Sequence, residues 1–206
     1  MKNLEEKIGA LAADLKPLTP AQITLSQHKS REALMWIGIV SMIMFFAGLT
    51  SAYIVRRGEG GSWINIDLPY LFYYSTAFLL IGSIAFSYGY NKLKAGELRA
   101  FKLAVFATLV LGVLFTVMQF KAYGYLVQHG LYLASKNPAS SFLYIITAAH
   151  LAHLIGGILM LAFILFKALR NKYSATQHHG IYVASIFWHF LGVLWLLLFL
   201  FLIFFR

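Results

Sequence analysis

Three histidines, His150, His153 and His189, are the ionisable side chains that fall inside the long uncharged runs of this 206-residue chain. His150 and His153 stand three apart, so on a helix both rings share one face. Imidazole binds iron, copper and zinc, and two such groups at one height could hold a haem. Their depths speak against it. At 1.5 Å per residue His150 falls about 12 Å from the end of its run, and His153 and His189 differ in height by roughly 7 Å. A bis-histidine haem wants its ligands level, one above each ring face. No carboxylate is near to complete a metal site or to orient a ring. The simpler chemistry is a lipid headgroup or interhelix polar site, with the histidines bonded to backbone carbonyls, waters or headgroups. Gln119 needs a partner of the same kind, and Trp188 and Trp195 flank His189 along its run.

Other chemistry is missing from the sequence. Cysteine is absent, which removes disulfides, zinc-thiolate sites, iron–sulfur clusters and thiolate copper centres. The seven acids, Glu5, Glu6, Asp14, Glu32, Glu59, Asp67 and Glu97, all lie outside the uncharged runs. An autonomous proton pump or cation-coupled transporter needs ionisable groups within the bilayer, so this pattern argues against one. Gly58 to Gly61 is a glycine-rich turn without the strand–turn–helix setting of a phosphate loop.

The elements that must position these residues follow from composition. The chain is 60% hydrophobic and 12% charged, where soluble domains are about 25% charged. A soluble globule of this length could not hide that much apolar surface. Five stretches free of Asp, Glu, Lys and Arg cover residues 33–55, 68–90, 103–120, 142–166 and 181–205. Even the shortest reaches about 27 Å as a helix, close to the hydrocarbon thickness. A spanning segment must satisfy its own backbone, and the alternation of a membrane barrel is missing. The sequence therefore predicts an all-α fold, a polytopic transmembrane bundle of five helices forming one domain over 33–206.

Residues 1–32 form a separate tail. Leu4, Ile8, Leu11 and Leu15 follow helical spacing, which fits either a helix lying on the membrane surface or a plain soluble tail. Pro17 and Pro20 are expected to break any helix there before the first span.

The net charge is +10. Its cations are scattered between apolar runs rather than gathered on one face, so the excess speaks for topology and not for nucleic acid. The tail and the second and fourth loops carry twelve cations, and the opposite side carries Arg56, Arg57, Lys121, Lys136 and Arg206. The side richer in Lys and Arg stays in the cytoplasm. The N terminus is therefore expected in the cytoplasm and the C terminus outside, which in a bacterium means the inner membrane and the periplasm. Small residues at four-residue spacing, Gly48 with Ala52 and Ala148 with Ala152, followed by Gly156 and Gly157, are expected at close helix contacts.

The ordered motifs carry a resemblance. The first span reads Ser41-Met42-Ile43-Met44-Phe45-Phe46-Ala47-Gly48, and the third reads Leu111-Gly112, then Phe115, Gln119 and Tyr123. The fourth reads His150-Leu151-Ala152-His153-Leu154-Ile155-Gly156-Gly157. His178-His179-Gly180, Trp188-His189-Phe190 and Trp195 complete the series. From about Arg31 to Phe205 the chain resembles subunit III of the haem–copper oxidases, in its five-helix bacterial form. The resemblance implies an accessory, non-catalytic subunit without a cofactor of its own. Haem and copper would sit in partner subunits I and II, with phospholipid bound in a cleft and a larger respiratory supercomplex as a further setting. Quinol oxidase subunit III and a nitric oxide reductase accessory subunit share the implied fold. A small independent b-type cytochrome using His189 with His150 or His153 is the competing reading of a different class. The chain departs from the family where Met42 and Tyr182 replace glutamates and Gly192 replaces an aspartate.

Overall fold

The structure is a computed structural model describing residues 20–60, 63, 65–134, 137–170 and 179–205. Five α-helices make up the architecture among these residues: α1 Pro20–Gly58, α2 Tyr70–Lys94, α3 Leu98–Gln128, α4 Pro138–Leu169 and α5 His179–Phe204. Each contains a stretch long and apolar enough to cross a membrane. The surface tail helix weighed for Leu4 to Leu15 lies outside the described residues.

The helices outrun the uncharged runs, and the reasons are local. Pro20 is the first residue of α1, where a proline has no N–H to leave unpaired, and the helix break expected in the tail before it lies outside the described residues. The candidate span within α1 is Lys29–Gly58. The chain divides into two units between Trp36 and Ile37, within the residues of α1. The third span widens most, since Arg99, Lys102 and Lys121 all sit within α3. A long cationic side chain at a helix end extends its head to the interface without breaking the backbone. At its other end Pro138 opens α4, and Asn137 Oδ1 accepts a hydrogen bond from Ala139 N at 3.1 Å.

Four helices form a closed ring. α2 packs along α3, α3 along α4, α4 along α5, and α5 returns to α2. The α2–α3 hairpin turns on Gly96, whose φ of +82° suits glycine. Glu97 N bonds back to Lys92 O at 2.9 Å, and Lys92 Nζ meets Glu97 Oε1 at 2.8 Å. At Gly89 an added Cβ would stand 2.7 Å from Ala104 Cβ, so the hairpin's backbones pass where only hydrogen fits.

Over residues 37–58 one face of α1 is buried, at Ile39, Met42, Phe46 and Tyr53. Phe46 and Tyr53 pack with Ile146 of α4 and Leu194, Leu198 and Leu202 of α5. Tyr53 is edge-on to Trp63 and Phe201, and its hydroxyl donates to Phe205 O at 2.9 Å.

Candidate functional site

The three histidines separate into two places. His150 and His153 share the face of α4 that meets Phe46 of α1, at ring distances of 6.4 and 5.8 Å. His150 is wholly buried, its ring 5.0 Å from the Trp195 indole and 6.2 Å from Phe115. Among the described residues, neither of its ring nitrogens has a hydrogen-bond partner. One turn on, His153 Nδ1 donates to the Ala149 carbonyl of its own helix at 2.8 Å.

His189 stands on α5 between two serines of α2. Its Nε2 lies 3.0 Å from Ser87 Oγ and its Nδ1 3.2 Å from Ser83 Oγ. A neutral imidazole offers one donor and one acceptor, so this clamp uses both nitrogens. It ties α2 to α5 and leaves no free nitrogen to bind a haem iron. Among the described residues, no three of His, Cys, Asp and Glu gather where a metal ion could be held.

Gln119 and Trp188 also lie inside the ring. Gln119 is buried on α3 and donates through Nε2 to Ser75 Oγ of α2 at 2.9 Å. Next to it Trp195 Nε1 donates to Thr76 Oγ1 at 2.9 Å. One turn further along α3, Tyr123 donates to Thr147 Oγ1 of α4 at 3.0 Å. The wholly buried Trp188 is fitted by glycines of three helices. A Cβ at Gly112 would come within 2.9 Å of its ring, at Gly157 within 3.5 Å and at Gly82 within 3.9 Å.

Of the six small residues expected at helix contacts, Gly157 makes one inside the chain. Gly48, Ala52, Ala148, Ala152 and Gly156 are exposed on the outward faces of α1 and α4. Nothing lies within 4 Å of a Cβ added at Gly48 or Gly156. The close contacts belong to Gly82, Gly89 and Gly112, which four-residue spacing did not single out. The α2 hydroxyls Ser75, Thr76, Ser83 and Ser87 were missed too. Their helical spacing was a legible signal, since it puts a polar stripe on one face of an otherwise apolar span.

A groove of about 530 Å³ lies between α1 and α5, lined by Ile43, Phe46 and Thr50 on one side and Val193, Leu197 and Phe201 on the other. Thr50 Oγ1 donates to the Phe46 carbonyl at 3.0 Å, so its hydroxyl is spent within its own helix. What remains is an apolar slot open to the hydrocarbon.

Comparison with known proteins agrees with this arrangement. Residues 21–206 match the family described as Cytochrome c oxidase subunit III. "Cytochrome c oxidase subunit 3" of Corynebacterium diphtheriae is 32% identical over 77% of this chain and 80% of its own length. "Probable cytochrome c oxidase subunit 3" of Nocardia farcinica is 31% identical over 81% of this chain and 82% of its own. "Cytochrome c oxidase subunit 3" of Thermostichus vulcanus is 28% identical over 78% and 80%. The match covers all five helices, and the chain belongs to the cytochrome c oxidase subunit III family.

Proposed function

We propose that this chain is the accessory, cofactor-free subunit III of a respiratory haem–copper terminal oxidase. It packs against subunits I and II, which carry the haem and copper, and it supports oxygen reduction and proton translocation by the whole complex. The observation that carries this reading is the family match across residues 21–206. The clamp on His189 supports it from a different side, because that ring is committed to Ser83 and Ser87.

Two surfaces fit the role. The small residues Gly48, Ala52, Ala148, Ala152 and Gly156 leave room for a neighbouring helix to approach closely. We assign this face of α1 and α4 to subunit I. The groove between α1 and α5 suits the acyl chain of a phospholipid, and His153, half-buried beside α1, supplies a polar contact near that helix. The excess of cations in the tail and the start of α1, at the helix ends flanking the α2–α3 turn, and from Lys167 to Lys172 supports a cytoplasmic N terminus and a periplasmic C terminus in a bacterial inner membrane.

Capture of the tagged chain from its own membrane, followed by mass spectrometry, tests the assignment. A many-helix haem–copper subunit recovered in equal amount is the expected result. Recovery of the chain alone under conditions that keep other membrane complexes intact would overturn it.

A further inference from the structure

His150 presents a deficit that the established role does not use. Its ring is wholly buried among Phe46, Phe115 and Trp195, and both nitrogens lack partners. A buried polar nitrogen left unmatched is costly, and in hydrocarbon no solvent relieves it. A second deficit lies on α3. Gln119 spends its Nε2 on Ser75, while its Oε1 is buried without a partner.

The register of α3 against α4 brings these two deficits together. Phe115, one turn from Gln119, meets His150 at 6.2 Å. Tyr123, one turn to the other side of Gln119, bonds Thr147, one turn from His150. Gln119 therefore faces the turn of α4 between Thr147 and His150. His150 lies against the Trp195 ring, and Trp195 and Gln119 bond the adjacent hydroxyls Thr76 and Ser75.

We propose that His150 and Gln119 hold an internal water molecule between α3, α4 and α5. Water is the ligand these atoms call for. A neutral ring donates its N–H to the water oxygen, and the water donates in turn to Gln119 Oε1. Two heavy atoms that each bond one water at about 2.8 Å stand about 5 Å apart, a gap that direct contact leaves unfilled. Phe46, Phe115 and Trp195 surround the His150 ring, so the water is fixed rather than free to exchange along a path. It joins α4 to the Ser75–Gln119 and Thr76–Trp195 bonds and makes one polar layer across four helices.

A map of the chain purified from its native membrane with its bound partners, at a resolution that shows ordered water, tests this directly. Density within hydrogen-bond reach of both a His150 nitrogen and Gln119 Oε1 is expected. Direct contact between the two side chains, or side chains well defined with no density between them, overturns the proposal. Variants give a second reading. His150→Phe and Gln119→Leu should each lower Tm, and the double variant should fall by clearly less than the sum of the two. His150→Gln, which keeps a donor and an acceptor, should recover most of the loss. Strict additivity, or no recovery by glutamine, counts against the shared water. Should His150→Phe fail to accumulate, Gln119→Leu in the map still decides, because the density should vanish with it.

Discussion

Each nitrogen of His189 faces a serine, and that pairing carries testable weight. Replacing the ring in His189→Leu removes both interhelical bonds, while Ser83 and Ser87 can turn back to carbonyls of their own helix. Interhelical hydrogen bonds in membranes average well under 2 kcal/mol. The expected loss is therefore about 1 kcal/mol, read as a lower unfolding midpoint in detergent, with the haem content of the assembly unchanged. A loss of haem with the midpoint held would show instead that His189 serves a metal. Gly112 is the sharper steric test. Its missing Cβ leaves space for Trp188 at 2.9 Å and Ile158 at 3.2 Å, so Gly112→Leu drives a side chain into a filled core. Such overpacking costs about 1–3 kcal/mol. The same substitution at Gly156, which meets nothing, should leave the isolated chain's midpoint within about 0.5 kcal/mol of the parent.

At the scale of elements, Phe46 and Tyr53 hold α1 to α4 and α5 through packing with Ile146, Leu194, Leu198 and Leu202. Tyr53→Phe deletes the bond to the Phe205 carbonyl and should cost about 1 kcal/mol, measured as in the previous variants. The groove between α1 and α5 gives a separate prediction. Val193→Trp places an indole in the slot, so the purified protein should retain less phospholipid by lipid mass spectrometry. Unchanged lipid content would remove the groove from the lipid assignment. The five helices were legible because a run of about 20 uncharged apolar residues in a bilayer has only one way to satisfy its backbone. Their ends were not, since Lys102 and Lys121 mark where side chains must reach water and not where hydrogen bonding stops. Partners across the bundle were hidden for a different reason. Ser83 and His189 meet because α5 closes the ring on α2, a non-sequential contact that no local spacing encodes. Small-residue spacing marked permissive surface, but which surface turns inward depends on the packed neighbours, and α1 and α4 turn theirs out.

For the whole molecule, the outward small faces and the family assignment combine into one expectation. Bulky side chains at Gly48 and Ala152 together should leave the isolated bundle intact and weaken its hold on the partner subunit, seen as lower co-recovery after gentle solubilisation. Co-recovery equal to that of the parent would move the interface elsewhere. The central claim is that this chain lends helices to a redox neighbour and carries no electrons itself. The most direct measurement is the reduced-minus-oxidised absorbance spectrum of the chain after separation from its complex. The account predicts no Soret or α-band in the folded chain and the full haem signal in the catalytic fraction. A haem band that stays with this chain and disappears in His189→Ala would contradict it.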